Sequence, residues 1–128
     1  MNNNDMTVRD YENNSTLVFD EQVIVKIVSM ALRDIEGAAI ARGNSNAFSG
    51  IVGRGSSEGI NVEVGTSEVA VDLRLIIEYG KNARAVYEQI KAKIENEVMS
   101  MTGLRVVEVN ARIEDVFEKE EFQARTQL

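Results

Sequence analysis

Apolar residues recur at helical spacing over 20–36. Ile24, Ile27, Val28, Ala31 and Ile35 form one stripe, and Val23, Val25, Met30 and Leu32 widen it. This pattern predicts a helix buried over more than half its circumference, with Arg33, Asp34 and Glu36 on its wet side. Asp20 stands at the N-cap position, and Glu21 places a negative charge in the first turn, where the helix dipole favours it. Gly37 is expected just past the last turn, where a left-handed conformation costs glycine nothing. A second stripe, Ala83, Val86, Tyr87, Ile90, Ile94, Val98 and Met101, follows the capping residue Asn82 and predicts a helix of about five turns. Met101-Thr102-Gly103 reads as its stop signal.

Elsewhere the period changes to two. Thr16–Phe19 and Ala38–Ala41 are short β-like runs, and Ile60–Val64 alternates cleanly. In Glu68–Tyr79, Val69, Val71, Leu73, Leu75, Ile77 and Tyr79 fall on one face, and Ala70, Asp72, Arg74, Ile76 and Glu78 on the other. After the second helix, Val107, Val109, Ala111 and Ile113 oppose Glu108, Asn110 and Arg112. The predicted order is β-α-β-β-β-α-β. Two helices and several strands, each with one apolar face, bury those faces as a two-layer α+β sandwich. The sheet is expected to be mostly antiparallel, with both helices on one face and the other face open. Residues 43–59, rich in Gly, Ser and Asn, predict a long mobile loop or a loose hairpin. A flexible leader is expected over 1–14, the folded domain over 15–117 and a charged tail over 118–128; residues 114–128 show no core face and read as a frayed helix or tail.

Composition narrows the functional classes. The chain has 128 residues, enough for one core, with 44% hydrophobic and 27% charged residues. Its 21 acidic and 14 basic residues leave a net charge of −7, which repels phosphate backbones and anionic membrane surfaces. There is no cysteine and no histidine, so thiolate sites, disulfides and the commonest general base are all missing. No apolar run approaches the ~18 residues of a membrane span, and the N-terminus lacks the features of a signal peptide. A cytoplasmic protein is expected, reaching a membrane only through a partner.

Several segments together resemble a known family. Ile35-Glu36-Gly37 closes the first helix, and Val69–Leu73 leads to Glu78-Tyr79-Gly80. Met101-Thr102-Gly103-Leu104 is followed by Val106–Asn110 and Val116. Over roughly 15–117 this order is similar to the alkaline shock protein (Asp/Gls) family of envelope stress response proteins in Gram-positive bacteria. The resemblance implies an abundant non-enzymatic protein that self-assembles into a homo-oligomer and is held at the membrane by a separate anchor protein. It brings no catalytic residues and no cofactor. The 43–59 loop is a region that varies within the family.

Individual residues support no catalytic centre. Ser29, Ser100 and Thr102 have no histidine to activate them, and no Ser-x-x-Lys motif is present. Asp72 and Glu78 share a strand face but lie ~20 Å apart by strand rise. Arg74 between them is expected to pair across strands with a residue such as Glu108. No metal-ligand spacing stands out, so neither a metal site nor a cofactor is expected. Gly50-Ile-Val-Gly53 followed by Arg54 matches the GxxG of KH nucleic-acid-binding domains, although its flanks are not helical. It lacks the Lys-Ser/Thr ending of a phosphate loop.

Two functional readings follow. The first is a self-associating protein-interaction module using the open sheet face: Asp72, Arg74, Ile76, Glu78, Val106, Glu108, Asn110 and Arg112. A face of mixed apolar and charged residues suits protein recognition. The alternative is a regulatory nucleic-acid-binding module using the Gly-rich loop at 50–55 through Gly50, Gly53 and Arg54. The acidic charge argues against that alternative.

Overall fold

The computed structural model of the chain describes residues 15–42 and 56–126. Helix α1 (Glu21–Arg33) is followed by strands β1 (Ala38–Ile40), β2 (Ser56–Ser57), β3 (Ile60–Val64) and β4 (Glu68–Glu78). Helix α2 (Ala83–Thr102), strand β5 (Arg105–Phe117) and helix α3 (Lys119–Thr126) complete the order. The leader at 1–14 and the loop at 43–55, with Gly50, Gly53 and Arg54, lie outside the described residues.

The helix boundaries follow local chemistry. Asn82 caps α2, its side-chain oxygen accepting from the Ala85 amide at 2.9 Å. Gly103, at φ 79°, returns its amide to the Met99 carbonyl. The Thr102 hydroxyl donates to the Val98 carbonyl at 2.7 Å and accepts from the Leu104 amide at 3.0 Å. Thr102-Gly103 is therefore a helix stop, as its position in the pattern indicates. Helix α1 ends earlier than expected: its C-cap is Asp34, and Gly37 lies three residues on, in the turn into β1. Asp20 is the N-cap, but its side chain makes no capping bond.

The fold is α+β, a five-stranded open sheet with α1 and α2 on one face. Ile24, Val28, Ile90, Ile94 and Val98 meet Val69, Val71 and Leu75 in a single core. Three strand pairings are antiparallel, and the fourth, β4 with β5, is parallel. A strand that leaves through a 20-residue helix re-enters the sheet from the end at which it began, so the two strands run the same way. Because β5 pairs with β4 from Glu68 to Glu78, it occupies one whole edge of that strand. Strands β1 and β3 share the other edge end to end. Their junction is Arg74, whose carbonyl accepts from the Ala41 amide at 2.8 Å and whose amide donates to the Gly59 carbonyl at 2.9 Å.

Gly59 is buried at this junction, at φ 78°. A β-carbon there would overlap Ile40 Cγ2 and stand 3.2 Å and 3.3 Å from the carbonyl oxygens of Ala41 and Arg74. Gly103 shares the left-handed conformation but has open space where a β-carbon would go.

Three elements depart from the sequence pattern. Thr16–Phe19 is not a strand; Leu17 and Val18 are exposed, and only Phe19 leans on the core. Tyr79 lies beyond the end of β4 and is 73% exposed. Over 114–128, where a frayed helix or tail is expected, β5 continues to Phe117, and the helix that follows, α3, is not frayed but packs back on the sheet. Phe122 on α3 is buried against Ala41 and Ile76, with Ala39 and Phe117 beside them.

Candidate functional site

The sheet face turned away from α1 and α2 is built mainly by β4 and β5. On β4, Ala70, Asp72, Arg74, Ile76 and Glu78 alternate with the core residues. Glu108, Asn110 and Arg112 of β5 stand opposite Ala70, Asp72 and Arg74. The amide nitrogen of Asn110 donates to Asp72 Oδ1 at 2.9 Å and to Glu108 Oε2 at 2.8 Å. Arg74 forms a fork with Glu114, Nε to Oε2 at 2.7 Å and Nη2 to Oε1 at 3.0 Å. Near the start of β5, Arg105 pairs with Glu68.

The alternation of the sequence does not bring Glu114 to this face, and it makes Glu108 the expected partner of Arg74. The register explains the exchange. Arg112 lies directly opposite Arg74, a like-charge pair that needs an anion nearby. A bulge between the partners of Leu75 and Ile76 carries Glu114 to Arg74. The hydrogen bond from Arg74 holds the Glu114 carboxyl below its ordinary range; partial desolvation opposes this, and the charges of Arg74 and Arg112 assist it. The same bond raises Arg74.

A pH prediction follows. The folded-state carboxyl is depressed, so its stabilisation is present above the unfolded value of ~4.3 and is lost as pH falls through the folded value. Glu114→Gln should cost about 1 kcal/mol at neutral pH. Its penalty should shrink as the pH falls below ~4. Urea midpoints of both proteins across pH 3–7 (a range set by ~4.3, the carboxylate value) provide the check.

Two predicted face residues are not available at the surface. Val106 is 7% exposed and belongs to the helix-side core. It sits opposite Val69, and the bulge that follows it leaves Val107 exposed and shifts the later alternation by one residue. Ile76 points to the open side as expected but is covered by Phe122 of α3. Glu78 is half-buried and lines a cleft of about 670 Å³ between the end of α1, β1 and α3. Arg33, Arg42, Lys81, Lys119 and Arg125 also line that cleft. Sequence reasoning misses it, because the last residues carry no pattern that predicts a packed helix. Asp72, Arg74, Glu108, Asn110 and Arg112 remain together on the open face.

Among the described residues, no group of three or more His, Cys, Asp or Glu side chains is placed to hold a metal. No helix of the described residues is long and apolar enough to cross a membrane.

Residues 9–118 match the model of the alkaline shock protein (Asp/Gls) family, which is described as having a cell envelope-related function. The chain belongs to this family. Curated relatives of this alkaline shock family chain include stress response regulator gls24 homologs from Streptococcus pyogenes serotypes M3, M28 and M1. Each is 41% identical over 111 residues, covering 84% of this chain. The match spans 62% of the length of those relatives. No solved structure matches. The resemblance drawn from Ile35–Gly37, Glu78–Gly80 and Met101–Asn110 is thus to the right family.

Proposed function

We propose that this alkaline shock family domain is a non-enzymatic, self-associating module of an envelope stress response, held at the membrane by an anchor protein. Membership in a family with an envelope-related role carries the reading, and the relatives' naming as stress response regulators supports its stress component. The open sheet face adds a physical argument. Its polar groups are paired in two sets, Asn110 with Asp72 and Glu108, and Arg74 with Glu114, leaving a patterned surface. Ordered polar groups of this kind cost little further entropy when a partner docks.

The expected result is a mass above that of one chain in size-exclusion chromatography with light scattering. Physiological ionic strength is the appropriate condition, since a Debye length of ~8 Å prevents the net charge of −7 from dominating. Crosslinking in the host should also recover an integral membrane protein bound to the domain. A strict monomer at high concentration, with no membrane protein recovered, would overturn the proposal.

A further inference from the structure

Strand β5 is 13 residues long and pairs with β4 alone; no strand of the described residues takes its other edge. Such an edge presents unpaired backbone donors and acceptors and is a template for another strand. Proteins often protect edges with charges and bulges, and β5 has both. The bulges fall at Val107 and Glu114, leaving 108–113 as a regular segment between them. The charges within that segment have a pattern that selects one partner.

We propose that the free edge of β5 pairs antiparallel with the same edge of a second copy, about a two-fold axis at Asn110. This inference rests on the self-association reading and names its surface. In that register, Glu108 faces Arg112 of the second copy, and symmetry repeats the pair. Val109 faces Ala111, and Arg105 faces Asp115 at the ends. Val107 and Ile113, which are 49% and 40% exposed, face one another. Opposite charges and apolar pairs placed directly across strands both stabilise a sheet.

The competing registers are poorer. Centring on Ala111 sets Glu108 against Glu114, and a parallel in-register pair stacks every charge on its own kind. The Tyr87 hydroxyl already donates to the Val109 carbonyl at 2.8 Å, but a carbonyl has two lone pairs and can accept again. Helix α3 does not obstruct the edge, because it folds away toward Ala41 and Ile76. The pairing is isologous and closes at two chains.

Charge exchange tests it. Arg112→Glu and Glu108→Arg each create two like-charge pairs in the proposed dimer, and each should weaken dimerisation roughly tenfold or more. The double variant restores opposite pairs and should recover dimers. Circular dichroism of each variant, expected to match the wild type because both positions are exposed, checks that the fold is kept. If the wild type self-associates and either single variant does so equally well, or if the double variant stays dissociated, the edge is overturned while self-association stands. A monomeric wild type would overturn both.

Discussion

Gly59→Val should unfold at a markedly lower urea concentration than the wild type, with a loss of about 3–5 kcal/mol. Two costs combine. At φ 78° an L side chain is strained whatever space surrounds it. Here there is also no space, since the first added carbon meets Ile40 Cγ2 and two backbone carbonyl oxygens. Relief requires moving Ile40 or parting the β1–β4 and β3–β4 junction at Arg74. A domain of this size holds only ~5–15 kcal/mol in total, so the variant should be close to the threshold for folding. Gly103→Ala separates the two costs: it shares the backbone strain without the collision and should lose only about 1 kcal/mol. Equal midpoints for the two variants would show that the packing at Gly59 contributes nothing.

Ile90→Ala should cost about 3–4 kcal/mol. Ile90 is 0% exposed at the middle of α2, within the core shared by both helices and β4. Removing its outer carbons leaves a cavity that neither the helix nor the sheet can close without breaking other contacts. The loss should appear as a lower urea midpoint with an unchanged slope, because the surface exposed on unfolding hardly changes. Met101 lies on the same predicted stripe but is 65% exposed, so Met101→Ala should fall within about 0.5 kcal/mol of wild type. A comparable loss at both positions would contradict the burial assigned to them.

That contrast shows what the chain makes legible. Val86, Ile90, Ile94 and Val98 are core residues both by spacing and by structure, because a helix has one period and one wide face. On β4, Val69, Val71, Leu73 and Leu75 are equally plain. The pattern fails where a partner sets the geometry. The bulge at Val107 exists only relative to β4, and it moves Val106 inward and Val107 outward although both are valines. The exchange of Glu108 for Glu114 as the partner of Arg74 has the same origin. Phe122 escapes a reading by pattern because a single apolar residue in a charged stretch has no period; its place is set by Ala41 and Ile76, which are remote in the chain.

The end-to-end meeting of β1 and β3 on β4 has a consequence for how this chain tolerates change. Ala41 and Gly59 are both fastened to the backbone of one residue, Arg74, so the chain leaves β4 after β1 and, having passed through β2, returns to β4 at nearly the same point. The connection between them has its ends already joined, and its length is decoupled from the geometry of the core. Doubling the length of such a connection costs only about 0.6 kcal/mol in closure entropy. Relatives can therefore lengthen, shorten or rewrite this stretch while β1, β3 and β4 keep their register. The same position offers an insertion point for an epitope or a fluorescent reporter, on the opposite edge of β4 from the strand proposed to join two copies.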